Sequence, residues 1–311
     1  MCNIWQNGDK EDLDIGLLDK LPDSLRYVNI SGGEPFLRKD LPELVAAVVK
    51  ASPRAQIIIS TNAFISEKRL RETLAEIRKT SPGIGVAVSI DGIGKTHDRV
   101  RGIDGAFDKA VAMIGGLKED GVKNIRIAFT IFDENVKDYA GVYELSRRLG
   151  VQFTSAVAQG SEHYFQGTGV RPAAAEDIHE QLDKVATSEL VTFEPKRWVR
   201  AFFNQGLYRY ASGGGRPLSC QAADDFFFMS PAGTIYPCNV MDFPLGNLHD
   251  GTFEEIWNSE TAVKARASVA GCQMGCWMVC TARSAIKRNP VKVAGWVAAG
   301  KARAHLGKKV L

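Results

Sequence analysis

Apolar positions along the chain follow two alternating rhythms. Short runs rich in β-branched and aromatic residues recur about every thirty residues, at 26–31, 56–60, 85–91, 124–131 and 151–157. Between them apolar residues return at helical spacing, as at Leu41, Leu44, Val45 and Val48, and again at Phe107, Ala110, Val111, Ile114 and Leu117. Strands alternating with helices predict βαβ units, hence a parallel sheet with right-handed crossovers, whose ligands gather at the carboxyl ends of the strands. Function is therefore expected in the loops after Ser31, Ser60, Asp91, Ile131 and Val157.

Beyond Val157 the rhythm changes. A polar stretch at 159–171 leads to a helical segment ending near Leu190, and Gly213-Gly214-Gly215-Arg216-Pro217 breaks the pattern. Residues 212–217 read as a linker. A hairpin is predicted next, with strands at 226–229 and 234–236 around the turn Ser230-Pro231-Ala232-Gly233, followed by a helix at 253–269. The expected division is an α/β domain at 1–211, a small hairpin-and-helix domain at 212–289, and a basic tail at 290–311. That tail, with Lys301, Arg303, His305, Lys308 and Lys309, reads as a solvated helix capping the domain.

Composition adds limits. The 311 residues are 45% hydrophobic and 24% charged, enough for one large and one smaller core. A net charge of +3 gives no argument for nucleic acid or a membrane surface as partner. No apolar run reaches the length of a membrane span, and the first residues lack the apolar stretch of a secretion signal. A cytoplasmic location is expected, where clustered thiols bind metal rather than form bridges.

Of six cysteines, Cys220, Cys238, Cys272, Cys276 and Cys280 fall in the last third and Cys2 stands alone. The last three lie within nine residues, too close for a disulfide framework but suited to one metal centre. Cys220 and Cys238 flank the hairpin, and the fold can bring all five together. Such spacing suits a four-thiolate zinc site as well as an iron–sulfur cluster.

The loop after the first strand reads Ser31-Gly32-Gly33-Glu34-Pro35. Glycines at a strand end admit close backbone approach by a ligand, Glu34 can accept from an ammonium group, and Pro35 holds Glu34 extended. Ser60 and Asn62, then Ser89 and Asp91, offer polar groups at the next two strand ends, where they also suit turn chemistry. Arg99 and Arg101 place two guanidinium groups near the same rim. Gln159, Glu162, His163 and Tyr164 follow the last strand and face the expected mouth. Tyr236 and Trp277 stand beside cysteines and are expected to shield a metal from solvent.

In combination these features resemble the radical S-adenosylmethionine (radical SAM) enzymes over nearly the whole chain: an Asn after Cys2, the Gly-Gly-Glu-Pro loop about thirty residues on, successive βα units, and a cysteine-rich end. The resemblance implies a partial (β/α)6 barrel whose first loop, Cys-x3-Cys-x2-Cys, holds a catalytic 4Fe–4S cluster with one iron open to SAM. Cys2 then corresponds to the third cysteine of that loop. The other two cysteines and the first strand would precede Met1, since five strands are visible where the family has six. The ligand set for the catalytic cluster is incomplete here, and the 311-residue chain is expected to lack SAM cleavage. Gly32, Gly33, Glu34 and Pro35 would receive the SAM amino group; Ser60, Asn62, Ser89 and Asp91 would contact its carboxylate and ribose.

The C-terminal part resembles the SPASM/twitch extension of that superfamily. Cys220, twelve intervening residues, and Gly233-Thr234-Ile235-Tyr236-Pro237-Cys238 match its opening pattern. Five cysteines where a full SPASM domain has seven imply one auxiliary 4Fe–4S cluster. The resemblance also implies hydrogen abstraction from a substrate it does not identify, and a reducing partner such as flavodoxin or ferredoxin. A non-catalytic metal-binding scaffold, holding zinc or a single cluster, is the alternative.

Overall fold

The computed structural model describes residues 12–159 and 171–311. Five strands, β1 (Tyr27–Ile30), β2 (Gln56–Thr61), β3 (Gly85–Ser89), β4 (Asn124–Ile131) and β5 (Gln152–Val157), pair in sequence order, all parallel, in a sheet curled into a half-barrel. The connections carry helices α1 (Leu41–Ala51), α2 (Glu67–Thr80), α3 (Lys95–Arg101), α4 (Ala106–Glu119) and α5 (Tyr139–Leu149). The expected partial barrel of five strands is borne out.

Register explains how the two faces of this sheet differ. Ile30, Ile59, Val86 and Ile125 share one row, and Val28, Ile57 and the buried Val88, Ile127 and Phe129 continue the same apolar face beneath the helices. Each such side chain contributes about 1.5–3 kcal/mol by leaving water. The opposite, concave face is mostly small or polar, with Asn29, Ser60, Gly85, Ala87, Ser89, Asn124, Arg126 and Thr130 beside the larger Tyr27 and Ile58. A sheet buried on one face and polar on the other leaves its concavity for a ligand.

Helices α6 (Ala175–Leu190) and α7 (Pro195–Ala211) pack side by side after the half-barrel. Between them Arg197 Nε donates to Glu189 Oε2 at 3.0 Å and Arg197 Nη2 to Tyr143 Oη at 2.7 Å, with both charged side chains buried. A second sheet, antiparallel, contains β6 (Phe228–Met229), β7 (Thr234–Tyr236) and β8 (Gly246–Asn247). The third strand was absent from the sequence expectation because two residues carry no periodicity.

The single helix expected at 253–269 is two, α8 (Phe253–Trp257) and α9 (Glu260–Ala270). Ser259 divides them, its hydroxyl accepting from Ala262 N at 3.1 Å as an N-cap. After α10 (Val279–Arg288), α11 (Pro290–His305) lies against α6 and α7, burying Val293, Val297 and Ala304 and setting Trp296 edge-on to Phe202. No helix among the described residues is long and apolar enough to cross a membrane.

Candidate active site and metal centre

The loop after β1 turns through Gly32 and Gly33 into a 3-10 turn, Pro35–Leu37. Gly32 sits at φ 154°, a backbone angle that side-chain-bearing residues rarely adopt, and a Cβ on either glycine would meet nothing within 4 Å. The backbone thus faces open space. Glu34 is extended, as the following proline requires. Its Oε1 accepts from Phe36 N at 3.2 Å, and its Oε2 from Thr61 Oγ1 at 3.0 Å and Asn62 N at 2.8 Å. The carboxylate therefore ties the β1 loop to the β2 loop. Burial raises its pKa, outweighing these hydrogen bonds and the charge of Arg101.

At the end of β2, Ser60 Oγ donates to Asn29 Oδ1 at 3.2 Å, and Asn62 Oδ1 accepts from Phe64 N at 2.9 Å. Between the anchored Asn62 and Phe64, the buried Ala63 is held at φ 62°. At the end of β3, Ser89 is half-buried on the concave face, while Asp91 is 1% exposed. Asp91 Oδ1 accepts from Thr130 N at 2.7 Å and Oδ2 from Arg101 Nη2; its amide donates to His97 Nδ1 at 2.9 Å. Asn135 Nδ2 donates to both Asp91 O and Thr130 O. Asp91 thereby joins the ends of β3 and β4 with both carboxylate oxygens engaged.

Thr61, Asn135 and His97 complete these networks without standing out in the sequence. An Asn two to four residues past a strand was the available signal for Asn135. Gln159 accepts from Tyr210 Oη at 2.9 Å, connecting the end of the β5 segment to α7. Cys2, Glu162, His163 and Tyr164 lie outside the described residues.

The C-terminal thiols are brought together. Cys220, Cys238, Cys272 and Cys276 line one small pocket, partly open to solvent, with Arg216, Val240 and Met274. Cys280 lies near Cys238 and Cys276, and all five thiols are free of disulfides. Arg216 Nη2 donates to Cys272 O at 2.7 Å, and Met241 N donates to Cys238 Sγ at 3.3 Å. Burial pushes the Cys276 thiol up to about 11 and Cys280 up to about 12, and raises Cys238. Among the described residues no three His, Cys, Asp or Glu side chains stand close enough to hold one metal ion. The thiols surround a pocket rather than a point, which suits a cluster whose thiolates bind different irons.

Trp277 fixes this segment to α7. Its Nε1 donates to Phe203 O at 3.0 Å, its ring stacks on Phe203, and it fills the space over Gly206, where a Cβ would come within 2.2 Å of the indole.

A parallel half-barrel with a glycine-rich first loop thus stands with a thiol-lined pocket whose donors suit an iron–sulfur cluster. Residues 11–145 match the radical SAM superfamily and residues 220–280 the SPASM iron–sulfur cluster-binding domain. The chain belongs to the radical SAM superfamily and carries a SPASM region.

Among curated relatives, Fe-coproporphyrin III synthase of Methanosarcina barkeri is 40% identical over 115 residues, 37% of this chain and 27% of that protein. The AdoMet-dependent heme synthase of the same organism is 28% identical over 256 residues, 76% of this chain and 70% of that protein. The first match thus spans about a quarter of its relative, the second somewhat over two thirds. The solved structure of native anSMEcpe with bound AdoMet and Cp18Cys peptide has a TM-score of 0.54 at 17% identity, covering 81% of this chain and 74% of that one, a likeness of fold.

Proposed function

We propose that this chain belongs to a radical SAM oxidoreductase that abstracts hydrogen from a substrate held in the half-barrel. When bound, the reduced cluster and SAM supply a 5′-deoxyadenosyl radical. The observation that carries the reading is the tie between Glu34 and Asn62, which holds the Gly32-Gly33 backbone open at the strand ends. There the exposed backbone receives the amino group of SAM, while Ser60, Asn62 and Ser89 offer hydrogen bonds toward its carboxylate and ribose. Asp91 acts on that rim by positioning Arg101 and the β4 end.

Cys220, Cys238, Cys272 and Cys276, which share the pocket, are the ligands of one auxiliary 4Fe–4S cluster, and Cys280 is spare. The cluster's work is to take the electron returned by the substrate. A flavodoxin or ferredoxin supplies the electron that starts each turnover.

Cys2 is the sole cysteine ahead of Cys220, and a three-thiolate catalytic site needs two more. The test compares the 311-residue polypeptide with one extended upstream so that Cys2 completes Cys-x3-Cys-x2-Cys. Both are reconstituted anaerobically with iron and sulfide, reduced, and given SAM. The extended chain forms 5′-deoxyadenosine and methionine; the 311-residue chain does not. An iron-loaded extended chain that leaves SAM intact would sink the reading, and cleavage by the 311-residue chain would remove the thiol requirement.

A further inference from the structure

The concave face of the half-barrel carries a charge that the SAM loops do not use. Arg126 projects from it on β4, in register with Ala87 of β3 and Gln152 of β5. Its Nη2 donates to Asn124 Oδ1 at 2.9 Å, but its Nε is buried with no acceptor, and so is Asn124 Nδ2. Burial above all, and then the like charges of Arg283 of α10 and Arg200 of α7, push its pKa down to about 10. The Arg283 guanidinium sits 3.8 Å over the ring of Tyr27, which opens β1 on the same concave face. Among the described residues none of the three arginines pairs with a carboxylate. Arg38, Arg71, Arg101 and Arg197 do pair with carboxylates, while the half-buried Arg69, Arg78, Arg216 and Arg303 are held by backbone carbonyls.

Three cations with no acid beside them among the described residues raise the energy of the fold, and orphan donors beside them add desolvation cost. A ligand bearing two or more negative charges reverses both terms, because planar guanidinium forks match carboxylate and phosphate oxygens. We propose that Arg126, Arg200 and Arg283 form an anion subsite inside the half-barrel that takes a carboxylate- or phosphate-bearing part of the substrate. The assignment to substrate rests on the reading above, that this concavity is where substrate lies.

Calorimetric titration of the 311-residue protein with tricarballylate, and separately with inorganic phosphate, at fixed ionic strength tests it. One anion binds, and the tighter of the two identifies the group. Arg126→Gln and Arg283→Gln each weaken that binding at least tenfold, while Arg148→Gln, at an exposed position, leaves it unchanged. Without anion, Arg126→Gln unfolds at the same temperature as the parent or higher, since a repelled charge has been removed. Absence of binding by both anions, or equal binding by Arg126→Gln and Arg283→Gln, overturns the subsite. Because titration requires no radical chemistry, its failure leaves the SAM reading intact, and failed SAM cleavage leaves the titration interpretable.

Discussion

The Asn62 amide donates to Glu34 Oε2 at 2.8 Å, joining two loops that are 28 residues apart in the chain. One carboxylate thereby sets the spacing of the first two strand ends. Glu34→Ala frees the Asn62 amide and the Thr61 hydroxyl and is expected to cost about 1–3 kcal/mol. Urea unfolding measures the loss, and in the extended chain SAM affinity falls with it. An unchanged midpoint with unchanged affinity contradicts this role.

The second prediction concerns acid. His97 is buried, accepts from Asp91 N at Nδ1, and has its pKa lowered from 6.5 to about 4, chiefly by burial and then by Arg101. Its neutral form is therefore favoured by folding, and this stability is fully present above the unfolded pKa. It is lost as pH falls from about 6.5 toward 4, up to about 3 kcal/mol in all. Unfolding free energies measured between pH 7.5 and 4.5 should drop more steeply for the parent than for His97→Gln; parallel curves would exclude His97 as the cause.

Gly206→Ala drives a methyl into the Trp277 indole, whose atoms come within 2.2 Å of the added carbon. Displacing a packed aromatic costs about 1–3 kcal/mol. Because Trp277 adjoins Cys276, the same substitution is expected to reduce iron bound per chain after reconstitution. A full iron complement with an unaltered melting temperature would show that the contact is dispensable.

Removing Glu189 leaves the buried Arg197 with Tyr143, the Ser188 carbonyl and only the longer, exposed contact to Glu194 at 3.8 Å. Glu189→Ala should destabilise by about 3–5 kcal/mol, the usual consequence of stranding a buried charge. The double variant Glu189→Leu with Arg197→Met should recover much of that loss in thermal unfolding. If the double variant is no more stable than the single one, the penalty comes from packing.

The fifth prediction distinguishes the thiols. Alanine at Cys220, Cys238, Cys272 or Cys276 is expected to abolish the visible thiolate-to-iron absorbance of the reconstituted 311-residue protein, whereas Cys280→Ala keeps it. Loss of iron in Cys280→Ala alone would exchange Cys280 for one of the other four.

Strand rhythm and loop chemistry were legible along the chain because they are local. Period-two and period-3.6 patterns reflect which face of each element meets water, so all five parallel strands, the Gly32-Gly33-Glu34-Pro35 loop and the thiol spacing could be read from neighbours in sequence. Short elements escaped, since β8 has two residues, and Ser259 divides an otherwise continuous helical pattern through one hydroxyl. Partnership between distant side chains had no local trace. Glu34 with Asn62, Asp91 with Thr130 and Arg101, and Trp277 over Gly206 each join segments brought close only by the curl of the sheet and the packing of α7. The same holds for Arg126, Arg200 and Arg283. Each is an ordinary charged residue in its own segment, and only tertiary structure sets the three like charges together, because electrostatic energy depends on distance through space rather than along the chain.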